Sequence, residues 1–450
     1  MYTILGAGLS GLSVADHLRK RNIPFEIFED KAYAGGHIHS EIIGGFTWDE
    51  GPHVSFTKYT YVKEYFAENC AQNYLEYVTD PINYYQGNWI MHPAQAHMYA
   101  VPEPLRHECI EDAIAIRAEI PEGYLPANYQ EWINYAFGKT FAEVFSKSYT
   151  LKYWTTEPVN LTTNWIGKRI YFPEISDMVD SAMGPLAKQT HYINKVRYPA
   201  SGGFYSYIKE VADSLPINFN KKLTHISFKE KRLSFSDGSK ESYDKLISTL
   251  PLPMLIINSD APVAIKNSAM KLKCSQLLII NIVVDHPAAI HNQWIYVYDE
   301  GFYSTRINFT DLLSPANGMP GKSGIQVEVY FSEYHIFEEN INYAEKVLDE
   351  LINMNLIHSN DAIESYHTKW VDWANVIFDQ EREIAQNVIF TWLESLGMTR
   401  EEDDLEPMSD WETKKTIKVG DIVLAGRFAQ WKYFWTDDCV MRAKYIVDNI

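Results

Sequence analysis

The feature that most constrains this chain lies at its start. A short apolar run, Tyr2-Thr3-Ile4-Leu5, reads as a buried β-strand, Gly6-Ala7-Gly8-Leu9-Ser10-Gly11 follows at once, and Leu12 to Lys20 reads as a helix. This is the G-x-G-x-x-G spacing in the strand, turn and helix setting it needs. Gly6 permits the tight turn, Gly8 lets a pyrophosphate approach the main chain, and Gly11 lets the helix close on its strand. The N–H groups of the first helical turn, around Leu9 and Ser10, and the positive end of the helix dipole then receive phosphate charge. Pro24 to Asp30 reads as a second strand ending in acids. Glu29, with Asp30 beside it, stands roughly 20 residues beyond the glycines, the usual distance for a carboxylate that binds a ribose hydroxyl pair. A glycine turn in an ordinary α/β domain is the alternative, and it does not require strand, helix and acid in register.

Ala34-Gly35-Gly36-His37 comes directly after that strand, followed by Trp48-Asp49-Glu50-Gly51-Pro52-His53-Val54-Ser55-Phe56. These stretches resemble the FAD-containing superfamily of amine oxidases, protoporphyrinogen oxidases and UDP-galactopyranose mutases. In those proteins the Gly-Gly pair lies near the cofactor phosphates, and a Gly-x-His stretch passes beside the isoalloxazine ring. The resemblance therefore implies non-covalent FAD rather than NAD, with Gly35, Gly36, His37 and His53 at the cofactor. Amine oxidases usually carry Arg after the Gly-Gly pair, where this chain has His37.

With 450 residues the chain has room for two or three domains. A formal charge of -19 argues against nucleic acid or an anionic membrane as a partner. An anionic small substrate would need local arginines to overcome that field. Aromatic residues reach 14%, with 30 Tyr and 12 Trp, enough for a ligand cleft as well as for thick cores. Cys70, Cys109, Cys274 and Cys439 are far apart and read as reduced thiols, with no metal site implied. With the first strand beginning at residue 2, no signal or transit peptide is expected. No apolar run approaches the ~20 residues of a membrane span. A soluble cytoplasmic protein is expected.

Lys58 to Asn69 reads as a helix, and the pattern stays mainly helical to about Lys188. Two motifs close that region: Tyr149-Thr150-Leu151-Lys152-Tyr153-Trp154 and Trp165-Ile166-Gly167-Lys168-Arg169-Ile170. They resemble the mutase pattern Tyr-Thr-x-Lys-x-Trp-Gly, then Lys-Arg-Ile, whose Tyr and Trp border the substrate cleft. Tyr149, Trp154, Trp165 and Arg169 are the substrate residues this implies, and simple interdomain packing is the competing account of the aromatics. Thr155 replaces the Gly, and Tyr171-Phe172-Pro173 occupies the place of a second arginine.

Tyr198-Pro199-Ala200-Ser201-Gly202-Gly203-Phe204 matches a family stretch that returns the chain to the cofactor domain. A hairpin follows, whose Thr224-His225 segment the family places near the adenine. From Ser275 to Ser332 the reading is antiparallel strands. Tyr303-Ser304-Thr305-Arg306-Ile307 resembles the mutase Tyr-x-Thr-Arg-Ile, whose arginine reaches the substrate diphosphate. Asp403 to Asp410 reads as an acidic, solvated loop. Gly426-Arg427, then Lys432-Tyr433, then a helix from about Asp437, match the mutase C-terminus, whose helix start faces the flavin. Thr436, Asp437 and Asp438 lie at that start.

The expected architecture is α/β: a discontinuous Rossmann-like FAD domain (1–57, 190–255 and 418–450), a mainly helical cap (58–189) and an antiparallel sheet with helices (256–417). Two activities stay open. One is a nucleotide-sugar pyranose/furanose mutase, in which the resemblance implies that N5 of reduced FAD attacks the anomeric carbon. No protein group then acts as nucleophile, and His53, Arg306 and Tyr433 give support. The other is an FAD-dependent oxidase, dehydrogenase or desaturase of the protoporphyrinogen oxidase or amine oxidase type. A small-molecule substrate, a nucleotide sugar under the first reading, is the expected partner, with homodimerisation open.

Overall fold

Tyr2–Leu5 is the middle strand of a five-stranded parallel sheet, and all four of its residues are buried. A strand covered on both faces must be apolar throughout, which is what the opening run provides. Across the sheet the order is Ile422–Leu424, Lys245–Ser248, Tyr2–Leu5, Phe25–Phe28, Ile217–Asn218. Ile4 pairs with Ile247 on one side and Ile27 on the other. This computed structural model describes residues 1–121, 123–186, 190 and 195–450.

The helices Leu9–Lys20 and Thr436–Asp448 bury Leu12, Ala15, Leu18, Val440, Ala443 and Val447 in one core. Arg21 Nη1 donates to the Val447 carbonyl at 2.6 Å, tying one helix end to the other. The first and last elements of the chain thus lie side by side. The five-stranded sheet is assembled from three stretches of chain separated by two long excursions. The expected boundary at 189/190 lies among 187–189 and 191–194, outside the described residues.

The excursions build a seven-stranded sheet, in the order Ile363–Val376, Cys274–Val284, Ser323–Phe331, Arg306–Phe309, Trp294–Val297, Ile82–Tyr85, Asn88–Met91. Its pairs are antiparallel except Ile82–Tyr85 beside Trp294–Val297. Helix Tyr343–Asn353 packs Val347 and Leu351 against Ile280, Ile325 and Val327 of the central strands. Two differences from the sequence reading stand out. The region expected to be mainly helical supplies two of these strands, and a third, Tyr74–Val78, pairs with Lys195–Pro199. Gln86 and Gly87, at φ of 46° and 81°, make the tight hairpin between the first two. The longest strand, Ile363–Val376, is an edge strand with one face largely in water, so its apolar signal is weak.

Helices do occupy the stretch from Tyr129 to Tyr153. Tyr129–Phe137 is capped by Asn128, whose side chain accepts from Glu131 N at 3.0 Å. Lys139 to Tyr153 then runs as one helical stretch with a π-turn segment at Ala142–Lys147. Such segments shift side-chain phase and concentrate at functional sites; this one precedes Tyr149 and Tyr153. The stretch Asp403 to Asp410 is not the solvated loop expected. Asp404 is buried, and Asp403 pairs with Lys414 and Lys432. Buried charges persist where partners exist, and the cations of the C-terminal segment supply them.

Candidate functional site

Two glycine turns lie back to back beneath the first helix. Gly35 N donates to Ala7 O at 2.9 Å, and Gly8 bridges to Gly35. A Cβ on Gly36 would come within 3.0 Å of Gly8 Cα, so both turns are bare backbone. At Gly11 a Cβ would sit 2.0 Å from the Gly6 carbonyl oxygen, which shows how closely the helix begins over its turn. The first N–H groups of that helix have no carbonyl one turn back to bind. Glu29 is buried at the end of its strand, where Oε2 accepts from Ala7 N at 2.6 Å and Oε1 from Lys31 N at 3.0 Å. Burial pushes its pKa up to about 7. Hydroxyl groups donating to the carboxylate would favour the charged form. Asp30 beside it is exposed. Bare turns, a helix N-terminus and a buried acid at this spacing fit a dinucleotide: backbone for the pyrophosphate, Glu29 for a ribose.

The other end of the chain closes onto the same turn. Ala425 N donates to Ser248 O at 2.9 Å, and Gly426 follows with φ of 109°. A Cβ on Gly426 would meet Ser10 Oγ at 2.5 Å, so this turn rests on the first turn of helix Leu9–Lys20. Arg427 Nη2 then donates to Asn375 Oδ1 at 2.8 Å, and Nη1 to Phe434 O at 3.3 Å. Thr436 opens the last helix. Asp438 Oδ2 accepts from Trp435 N at 2.9 Å and Oδ1 from Trp411 Nε1 at 2.8 Å. Burial and the neighbouring charge of Asp437 raise its pKa to about 7. Asp437 is itself buried and bonds Thr57. The two acids are thus committed to protein partners, Asp437 Oδ1 also accepting from Asp438 N at 3.1 Å.

His37 stands between these ends. Its Nδ1 meets Glu50 Oε1 at 2.9 Å, and its ring lies 5.4 Å from that of Phe428 in the C-terminal turn. Glu50 is buried and also pairs with Lys369 at 3.0 Å. Burial alone would raise Glu50, but His37, Lys369 and Lys31 prevail and hold its pKa at about 2. His53 donates from Nδ1 to Gly51 O at 2.9 Å when neutral. Burial, with the positive neighbours His37 and Arg306, depresses its pKa to about 4. It is therefore a neutral imidazole whose Nε2 is left to accept.

Beside this lies a cluster of tyrosines. Tyr149 and Tyr153 stack at 5.6 Å, with Tyr296 at 5.7 Å from Tyr149 and Tyr330 at 5.1 Å from Tyr153. Arg306 lies over the Tyr153 ring at 5.4 Å. It does not stand alone: its Nη2 donates to Glu328 Oε1 at 2.9 Å and to Tyr330 OH at 2.9 Å, and its Nε donates to the other oxygen of Glu328. Tyr153 OH donates to Asn375 Oδ1 at 3.1 Å, the oxygen that also takes Arg427. Arg306 and Arg427 thus flank one tyrosine. Arg169 is sandwiched between the rings of Tyr433 and Trp435 at 4.2 and 4.4 Å and donates to Trp165 O and Tyr433 O. Trp154 and Trp165 are buried against one another at 5.1 Å and packed against Tyr433.

The sequence reading brought Gly6, Gly8, Gly11, Glu29, Gly35, Gly36, His37, Gly426 and Arg427 to one region of the fold. Thr224 and His225 are exposed on a separate three-stranded sheet, where Thr224 Oγ1 bonds Ser234 O. Glu328, Asn375 and Glu50 were missed. In Ile325-Gln326-Val327-Glu328-Val329 polar and apolar residues alternate as in a half-buried strand, so nothing in that stretch marked Glu328 as buried.

The profile of the family described as flavin containing amine oxidoreductase matches residues 9–445. Among solved structures, that of a reduced UDP-galactopyranose mutase superposes with a TM-score of 0.88 at 22% identity, covering 99% of this chain and 94% of that one. A putative protoporphyrinogen oxidase from Exiguobacterium sp. 255-15 gives 0.72 at 14% identity, covering 99% and 97%. At these identities the likeness is one of fold. A stretch of 49 residues is 41% identical to the 1-hydroxycarotenoid 3,4-desaturase of Flavobacterium sp. (strain P99-3), covering 11% of this chain and 10% of that enzyme. The chain thus spans about a tenth of the length of the curated relative it matches.

Proposed function

This chain belongs to the flavin-containing amine oxidoreductase family, with FAD as its cofactor, and from that premise we propose that it is a mutase-like isomerase of a nucleotide-linked sugar. The observation that supports the reading is the convergence of Arg306 and Arg427 on Tyr153, next to the glycine turns. Reduced FAD supplies a nucleophilic nitrogen for sugar chemistry of this kind. The chain's own residues bind and orient. The turns at Gly8 and Gly36 and the start of helix Leu9–Lys20 take the cofactor pyrophosphate, and Glu29 takes a ribose. Tyr149 and Tyr153 offer ring faces and hydroxyls to the sugar or base. Arg306 and Arg427 answer the charge that develops as the nucleotide leaves. His53, neutral at physiological pH, accepts a hydrogen bond without adding charge.

A second reading, an FAD-dependent oxidoreductase, is favoured by one observation. Arg306 is already paired with buried Glu328, which suits a substrate less charged than a diphosphate. The two are separated by incubating the holoenzyme with UDP- and TDP-sugars, with and without dithionite, and following ring form by chromatography. Isomerisation only under reduction is expected. Oxygen consumption matched to oxidation of an added substrate, with no isomerisation, supports the oxidoreductase instead.

A further inference from the structure

The segment that carries Tyr149 and Tyr153, Ser148–Tyr153, is bounded by two irregular joints. The π-turn stretch Ala142–Lys147 leads into it. Thr155 follows it at φ of 58°, a left-handed conformation that β-branched side chains rarely adopt, with its Oγ1 2.7 Å from Ser332 Oγ. Joints of this kind gather where an element is held in place by what surrounds it. At Tyr153 the hold is Asn375, whose Oδ1 accepts from Tyr153 OH at 3.1 Å and from Arg427 Nη2 at 2.8 Å. Asn375 is 5% exposed, so water has little access to either contact. Strand pairing steps from Leu277–Val371 to Ser275–Asn375, so extra residues bulge out of strand Ile363–Val376 just before Asn375. Bulges re-aim side chains beside functional sites. Arg427 in turn lies over Phe428 and Tyr433 at 5.8 and 5.1 Å, in the turn that rests on the start of helix Leu9–Lys20. One amide oxygen therefore joins the cofactor turn to the tyrosine segment.

We propose that Asn375 is a positioning residue that couples the two: FAD steadies the turn at Arg427, Arg427 steadies Asn375, and Asn375 holds the Tyr153 hydroxyl. The tyrosine segment is then ordered only once the cofactor is in place. This goes beyond the choice between isomerase and oxidoreductase, because it involves the cofactor and this chain alone. Linkage makes the coupling reciprocal, so whatever orders Tyr153 also tightens the hold on FAD. An amide suits the role, since its oxygen has two lone pairs, takes both donors at once and brings no charge to the turn.

The test is amide hydrogen exchange, read by mass spectrometry on the full chain with FAD removed and with FAD at saturation. Helix Tyr343–Asn353 is the internal reference, because it packs on the sheet face opposite Tyr153. In the parent, FAD is expected to slow exchange over residues 148–154 about fivefold relative to that helix, the size of one neutral hydrogen bond. Asn375→Leu keeps the bulk and removes the acceptor, and should cut the slowing to less than about twofold with FAD still bound. Tyr153→Phe keeps the ring, loses only the hydroxyl and should show the same loss; it carries the test if Asn375→Leu folds poorly. Asn375→Asp restores an acceptor oxygen and should restore the slowing. A residue that merely supported the fold would speed exchange equally with and without FAD and leave the ratio as in the parent. A parent whose segment exchanges alike in both states, or a folded, FAD-loaded Asn375→Leu or Tyr153→Phe chain that keeps the full response, overturns the proposal.

Discussion

Glu29 shows how much one side chain decides. It is buried at the first glycine turn, and its raised pKa has a definite sign. The ordinary value is 4.5 and the folded value about 7, so stability contributed by the protonated form is complete below pH 4.5. It is lost as pH rises through 7. The cofactor-free chain is therefore expected to melt at lower temperature at pH 8 than at pH 5, and Glu29→Gln should flatten that difference. The same substitution removes the charged acceptor for a ribose, so FAD affinity should fall about tenfold or more, on the order of 1.5–3 kcal/mol. Melting curves and FAD titration check the two halves. Glu29 was legible because its partners are local: Ala7 and Lys31 lie in the same motif. Glu328 was not, because its partner Arg306 is on another strand and only pairing register brings them together.

At the scale of elements, legibility followed sequence distance again. The strand, turn and helix at Tyr2–Lys20 and the C-terminal turn and helix carry their own glycines and apolar runs, so they could be read in place. Strand Ile363–Val376 could not, since it gains its burial from Cys274–Val284, far earlier in the chain. The acidic loop was misread for a related reason. Glu401 sits between Arg442 and Lys414, with all three nearly inaccessible, and this fixes the loop to helix Thr436–Asp448. Lys432, in the turn before that helix, joins the network through Asp403. Removing one member of a buried charge cluster strands the others. Glu401→Ala is therefore expected to destabilise the protein by about 3–5 kcal/mol. Urea unfolding measures the loss, and faster amide exchange in the last helix should accompany it.

For the whole molecule, the first and last helices pack together at the glycine turns, while the stretches between them build the seven-stranded sheet. No helix among the described residues is long and apolar enough to cross a membrane. The α/β class and the FAD fold were readable from the opening motif and its family resemblance, whereas the mixed edge of the larger sheet depended on a hairpin announced only by Gln86-Gly87. The claim on which the account rests is that the C-terminal turn completes the cofactor site, and Gly426 is where it is most exposed to test. A side chain there would strike Ser10 at the phosphate end of the first helix. The decisive measurement is FAD content per chain in the purified parent and in Gly426→Val, both confirmed folded by circular dichroism. About one FAD per chain in the parent and a loss of most of it in the variant are predicted; full FAD in the variant, or a parent that neither carries nor takes up FAD, would contradict the account.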